Sequence, residues 1–285
     1  MVGCVGSTGR DAYISRRVSL GAGARESSTA LTVNRLCGSG MQAIALGAGE
    51  LLVGESDVAE RFGVARAEQD AFALESQRRA RAAQGDRAVA EEIIPVTVRG
   101  HRGDVIIDAD EHPREVTLEK LAGMRPVFRE GGTVTAGNSS GINDGAAALV
   151  FTRASVARAR GAPPIAELVD FTKVGIDPAI MGYGPKPAVD RLLARTGVDV
   201  ADLDWIELNE AFAAQAVPVI RDLGLDESVV NPLGGAIAWG HPIGATGAII
   251  SARTIAGLRR TGGELGLATM CIGGGQAVAS LWRAL

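Results

Sequence analysis

The chain has 285 residues, 46% hydrophobic and 22% charged, a balance that supports a packed core and excludes a disordered chain. Lys and Arg number 29 against 33 Asp and Glu, a net charge of −4, so no basic excess favours a nucleic-acid backbone. The three cysteines, Cys4, Cys37 and Cys271, form no Cys-x-x-Cys pair, which argues against a disulfide framework or a zinc site and for a reducing, cytoplasmic setting.

The opening MVGCVGSTGRDAYISRR lacks the apolar stretch of a secretory leader. Residues 30–36 read as a short strand that runs into Cys37-Gly38-Ser39-Gly40 and a helix over about 41–52. Residues 59–84, rich in alanine and in charges of alternating sign, form the most helical stretch. Residues 93–98 follow as a strand, at a sheet edge because of Pro95. Residues 100–130, the most polar segment, read as an irregular excursion. Residues 133–135 and 146–151 read as strands around the glycine-rich turn GNSSGINDG.

The second half repeats the alternation. Strands are expected at 165–171 and 205–208, and helices at 185–195 and 209–223, the latter kinked or shortened by Pro218. Residues 229–231 lead into a glycine turn and a helix over about 244–259, and 265–270 and 276–282 close the chain as a strand pair. The uncharged tract 228–252 holds too many Gly and Pro residues beside a histidine for a membrane helix. VNRLCG in the first half echoes VNPLGG in the second, which suggests a duplicated unit. Strand–helix alternation makes the class α/β.

Cys37 stands between a strand and a helix N-terminus, where the helix dipole and unpaired N–H groups lower a thiol pKa. A buried small residue in a tight turn is the equal alternative. His241 lies in WGHPIG, inside the uncharged tract, where burying a titratable ring has a desolvation cost that calls for a reason. Cys271 is followed by Ile272 and three glycines, whose exposed N–H groups could stabilise an oxyanion. Asn209 opens NEAF after a strand, as a helix N-cap or as a polar group in a pocket. No G-x-S-x-G, Walker loop, G-x-G-x-x-G or H-E-x-x-H is present, so two cysteines and one histidine are left to point to thiol-based acyl transfer.

Taken together, VNRLCGSGMQAI, GTVTAGNSSGINDGAAALV, NEAFAAQ, GGAIAWGHPIGATGA and ATMCIGGGQ resemble the ordered motifs of thiolases. The resemblance implies a duplicated fold of five αβαβα layers, with an N-terminal half over 1–153, a reduced loop-domain insertion at about 59–128, and a C-terminal half over 154–285. It implies acyl transfer between coenzyme A thioesters: thiolysis of a 3-ketoacyl-CoA or the reverse Claisen condensation. Cys37 matches the acylated nucleophile and His241 the histidine that activates it. Cys271 matches the acid/base at the acyl α-carbon, Asn209 the residue that holds a water in one oxyanion hole, and Gly273 with Cys37 the donors of the second hole. Ser140, Phe128, Ala136, Ala211, Phe212 and Met181 match positions that line the pantetheine and acyl pocket. Coenzyme A and acyl-CoA enter as substrates, and no permanent cofactor or metal is implied. Relatives are homodimers or homotetramers that pair through the strand preceding the nucleophile, and ATMCIGGGQ leans toward the degradative, β-oxidation members.

Two departures from the family pattern are expected. The chain opens close to the strand before Cys37, and a strand and a His-Met-Gly segment are absent near Val58-Ala59. A non-catalytic acyl-CoA binder or a truncated remnant is the alternative that these departures raise.

Overall fold

The computed structural model describes residues 2–3, 32–33 and 58–285, without 87, 101, 102 and 274. The chain divides into two compact units, 1–52 and 53–285. In the first, strand β1 (Val2–Gly3) pairs in parallel with β2 (Thr32–Val33), so part of the strand expected at 30–36 is formed. Cys4, Cys37 and the helix expected over 41–52 lie outside the described residues.

The second unit is built on a four-stranded sheet in the order β5 (Ala166–Gly175), β8 (Gln276–Ala284), β7 (Leu265–Ile272), β6 (Trp205–Leu208). β5–β8 and β8–β7 are antiparallel, and β7–β6 is parallel. Beyond β6, Ile206 bridges Val230: Ile206 N–H donates to Val229 and Asn231 N–H donates to Ile206. The sequence expectations for this sheet hold, with β5 and β8 extended by a few residues.

Alternation along the strands covers both faces. Ile206, Leu208, Leu267, Ala279 and Leu281 pack with α4 (Pro185–Thr196) and α5 (Ala213–Leu223). Trp205, Ala268 and Trp282 pack with Ile250, Ile255 and Leu258 of α7 (Thr246–Thr261). β6 is therefore buried at all four residues, as a strand covered on both faces must be. The α7 contact is close enough that a Cβ on Gly257 would overlap the Trp205 ring. Gly257→Ala is expected to lose about 1–2 kcal/mol, overpacking outweighing the helix propensity gained. A urea midpoint equal to wild type would contradict this.

Four segments depart from the sequence expectation. The helix expected over 59–84 is broken. A first helical turn ends where Gly63 takes φ +65, with Val64 N–H donating to Ala59 and Gly63 N–H to Glu60. That left-handed stop resets the chain before α1 (Arg66–Gly85). The excursion at 100–130 is partly regular: β4 (Val105–Ile107) pairs with β3 (Val96–Val98), and α2 (Leu118–Ala122) starts at Thr117, whose Oγ1 accepts from Lys120 N–H. Residues 133–135 contribute only a bridge, Thr135 to Pro126, and 146–151 form no strand among the described residues. α3 (Ala154–Ala159) follows this unpaired stretch.

The fourth departure concerns 209–223. Residues 209–212 stay out of the helix, with Phe212 extended, and the helix begins at Ala213. Ser139 bridges Phe212, Ser140 N–H donates to Ala211, and Ala213 N–H donates to Asn138. Pairing with the GNSSG segment thus holds NEAF out of the helix. Pro218, expected to kink or shorten it, lies inside a continuous α5, where Ala216, Val219 and Ile220 anchor the helix to the core.

Candidate active site

His241 follows the short helix α6 (Ala236–Trp239) and precedes α7. Its backbone N–H donates to Gly141 at 2.8 Å, and Ile142 bridges His241 in parallel. Residues 139–142 therefore touch two motifs at once, NEAF through Ser139 and Ser140 and the histidine turn through Gly141 and Ile142. The turn is itself braced: Asn138 Oδ1 accepts from Thr135 N–H and its Nδ2 donates to Asp70 on α1 at 2.9 Å.

The imidazole is 9% exposed. Its Nδ1 is 2.6 Å from Thr246 Oγ1, and that hydroxyl donates to Pro242 O at 3.0 Å. The hydroxyl proton being committed, Thr246 accepts, so His241 carries its proton on Nδ1. Nε2 is left as a lone pair, 3.4 Å from the Asn209 amide nitrogen. Burial disfavours the imidazolium and pushes the ring down to about 4. The product is a neutral, oriented base at ordinary pH.

Asn209 is 1% exposed and continues β6, its N–H donating to Thr269 O at 3.0 Å. It is not a helix N-cap, since the cap position of α5 is Phe212. Its Oδ1 is buried with no hydrogen-bond partner among the described residues, a polar atom available to a bound water or ligand. Cys271 lies one residue before the end of β7, opposite Ala277, its side chain buried. Gly273 lies half-buried in the turn that follows.

Among the positions expected to line a substrate pocket, Phe128 and Phe212 meet edge to face at 5.6 Å. Ala211 and Ser140 are joined by the backbone bond already described. Ala136 is exposed at the tip of its turn, and Met181 is buried in the 3₁₀ turn Pro178–Tyr183. The structure thus brings Asn209, His241, Ser140, Ala211 and Phe212 into one hydrogen-bonded neighbourhood. Met181 packs within its own 3₁₀ turn, and Cys37 lies outside the described residues. A cavity of about 460 Å³ between α1 and α5 reaches Glu210 but neither Asn209 nor His241. Sequence reasoning missed Thr246, five residues after the histidine, and Glu210, taken only as part of NEAF.

Comparison with known families decides the lineage. Residues 162–284 match the thiolase C-terminal domain, and residues 1–59 and 56–155 match the thiolase N-terminal domain in two pieces. The chain belongs to the thiolase family. It is 42% identical to the beta-ketothiolase BktB of Cupriavidus necator, covering 96% of this chain and 84% of that protein. It is 41% identical to the beta-ketoadipyl-CoA thiolase of Pseudomonas aeruginosa, covering 98% and 85%. The acetyl-CoA acetyltransferase of Bacillus anthracis superposes with a TM-score of 0.85 at 34% identity, covering 99% of this chain and 86% of that one. The duplicated α/β class read from the motifs is that of this thiolase. The match to the Cupriavidus protein spans 330 aligned positions, more than the 285 residues present, so that relative carries internal residues without a counterpart here. The two N-terminal pieces meet at 56–59, where the sequence places the missing strand.

Proposed function

We propose that this thiolase is an acyl-CoA acyltransferase that works through an acyl thioester on Cys37. The observation that carries the proposal is the His241 ring: neutral, fixed in its Nδ1–H form by Thr246, with Nε2 bare beside Asn209. Such a nitrogen takes a thiol proton. In thiolysis the Cys37 thiolate attacks the C3 carbonyl of a 3-ketoacyl-CoA. The C2–C3 bond breaks, its electron pair goes to C2, and Cys271 supplies the proton that releases acetyl-CoA. The thiol of a second coenzyme A gives its proton to the Cys271 thiolate and attacks the acyl-Cys37 carbonyl, and Cys37 leaves as a thiolate that takes its proton back from His241.

Asn209, through a water, and His241 stabilise one thioester oxygen, and the N–H groups of Gly273 and Cys37 stabilise the other. Ser140, Phe128, Ala136, Ala211, Phe212 and Met181 line the path of the pantetheine and acyl chain. The N-terminal half spans 1–153 with a shortened loop domain at 59–128, and the C-terminal half spans 154–285. The protein works in the cytoplasm as a homodimer or homotetramer, on the degradative side of fatty-acid metabolism. No helix among the described residues is long and apolar enough to cross a membrane.

Intact-protein mass spectrometry after mixing with acetoacetyl-CoA tests the proposal. The expected result is one acetyl adduct, absent from Cys37→Ala. Wild-type protein without an adduct, while coenzyme A still raises its Tm, would replace the enzyme by a binder.

A further inference from the structure

Glu210 is 2% exposed, and its carboxylate accepts three hydrogen bonds. Ser76 Oγ of α1 lies 2.6 Å from Oε2, and Ile237 N–H of α6 lies 3.2 Å from the same oxygen. Asn231 Nδ2 donates to Oε1 at 2.8 Å. Two of the donors are tied to neighbouring backbone as well. Ser76 Oγ also accepts from Gly235 N–H at 3.1 Å. Asn231 spends its Oδ1 on Leu208 N–H and shares its Nδ2 with Leu208 O, closing both backbone groups at the end of β6. It does so from φ +44, the one non-glycine with positive φ among the described residues.

These bonds join the three segments that set the active-site spacing. Glu210 is the residue after Asn209. Ile237 is four residues before His241, on the helix that delivers it. α1 seals the arrangement from outside, since Gln77 Nε2 also donates to Ile237 O at 3.1 Å. On the Gly235 side the packing is close, because a Cβ there would overlap the Glu210 carboxylate.

We infer that Glu210 is a positioning residue for acyl transfer: its carboxylate, held by Ser76, Asn231 and Ile237, fixes Asn209 against His241 without touching substrate. This rests on the roles proposed above for Asn209 and His241. Burial pushes the carboxyl up, while the three donors and the nearby Arg79 guanidinium favour the charged form. Glutamine cannot replace it: an amide NH₂ must face either Asn231 Nδ2–H or Ile237 N–H, donor against donor.

The test is Glu210→Gln, with Ser76→Ala as the milder break and Leu192→Ala, a core residue of α4, as a stability control. Two readouts are taken: the acylation rate of Cys37 by acetoacetyl-CoA across pH, and the NMR titration of the His241 ring. Glu210→Gln is expected to slow acylation about 10- to 100-fold with KM changed less than about threefold. Its His241 titration is expected to move from about 4 toward the ordinary imidazole value of ~6.5, carrying the acid limb of the rate with it. Ser76→Ala is expected to shift both in the same direction by less, which keeps the test open should the glutamine variant not fold. Leu192→Ala is expected to lower Tm and leave the titration in place. A Glu210→Gln or Ser76→Ala protein with wild-type rate and titration overturns the inference. Wild-type protein that forms no adduct, with a titration still displaced in Glu210→Gln, overturns the proposed reaction and leaves the positioning of His241 supported.

Discussion

Replacing His241 by alanine is expected to slow acylation of Cys37 by about 10²- to 10⁴-fold, the range for loss of a positioned general base. The pH profile separates this from a general loss of fitness. In wild type the ring is neutral above about 4, so the base is available throughout the neutral range and the rate from this group is flat. In the variant only spontaneous ionisation supplies thiolate. The rate should then climb about tenfold per pH unit toward the ordinary thiol pKa of ~8.5. A quench-flow mass measurement between pH 5 and pH 9 gives both slopes. A variant that matches wild type in rate and slope would remove His241 from the chemistry and leave it as a buried core histidine. Thr246 enters the same argument, because without its oxygen the Nδ1–H has no acceptor and the tautomer that bares Nε2 loses its preference.

What the sequence made legible follows from the range of the forces involved. β6, β7 and β8 are apolar runs bounded by polar or glycine residues, and α4 opens on Pro185 and stops at the left-handed Gly197. Each of these signals acts within a few residues. The histidine was legible for the same reason, since Gly240 and Pro242 flank it and an uncharged tract surrounds it. The non-helical backbone of 209–212 was not legible, because its partner is the segment 139–140, about seventy residues away, and helix preference there is overridden by tertiary pairing. Residues 146–151 carry the pattern of a strand, yet Val150 and Phe151 are exposed and unpaired among the described residues. A strand needs a neighbour as well as a pattern. Glu210 illustrates the limit most sharply. Its position in NEAF is plain, but its three donors come from α1, a turn and α6, and no spacing along the chain announces them.

A second carboxyl two residues before Asn209 should make stability fall steeply with rising pH. Glu207 lies on β6 facing α7, fully enclosed, with one hydrogen bond from Trp205 Nε1 at 2.8 Å. Burial pushes its pKa up to about 8, against the weaker opposing pull of Arg253 and the Trp205 bond. That guanidinium is largely committed elsewhere, bonded to Glu92 at 3.0 Å and lying over the Trp239 ring. The folded state thus holds the Glu207 proton more tightly than the unfolded chain, whose value is near 4.5. The stabilisation is complete below about 4.5, erodes as pH rises, and is lost through about 8. The gap corresponds to a ceiling of about 5 kcal/mol. Glu207→Gln is the decisive variant, because the amide oxygen still accepts from Trp205 and no charge can form. It should be nearly neutral at pH 5 and stabilise the protein by several kcal/mol at pH 9, roughly in line with that ceiling. Urea melts of both proteins across this range isolate the group, since every other titration is shared. Parallel curves would mean that the charged form is as well accommodated as the neutral one, with Arg253 turning from Glu92 to meet it.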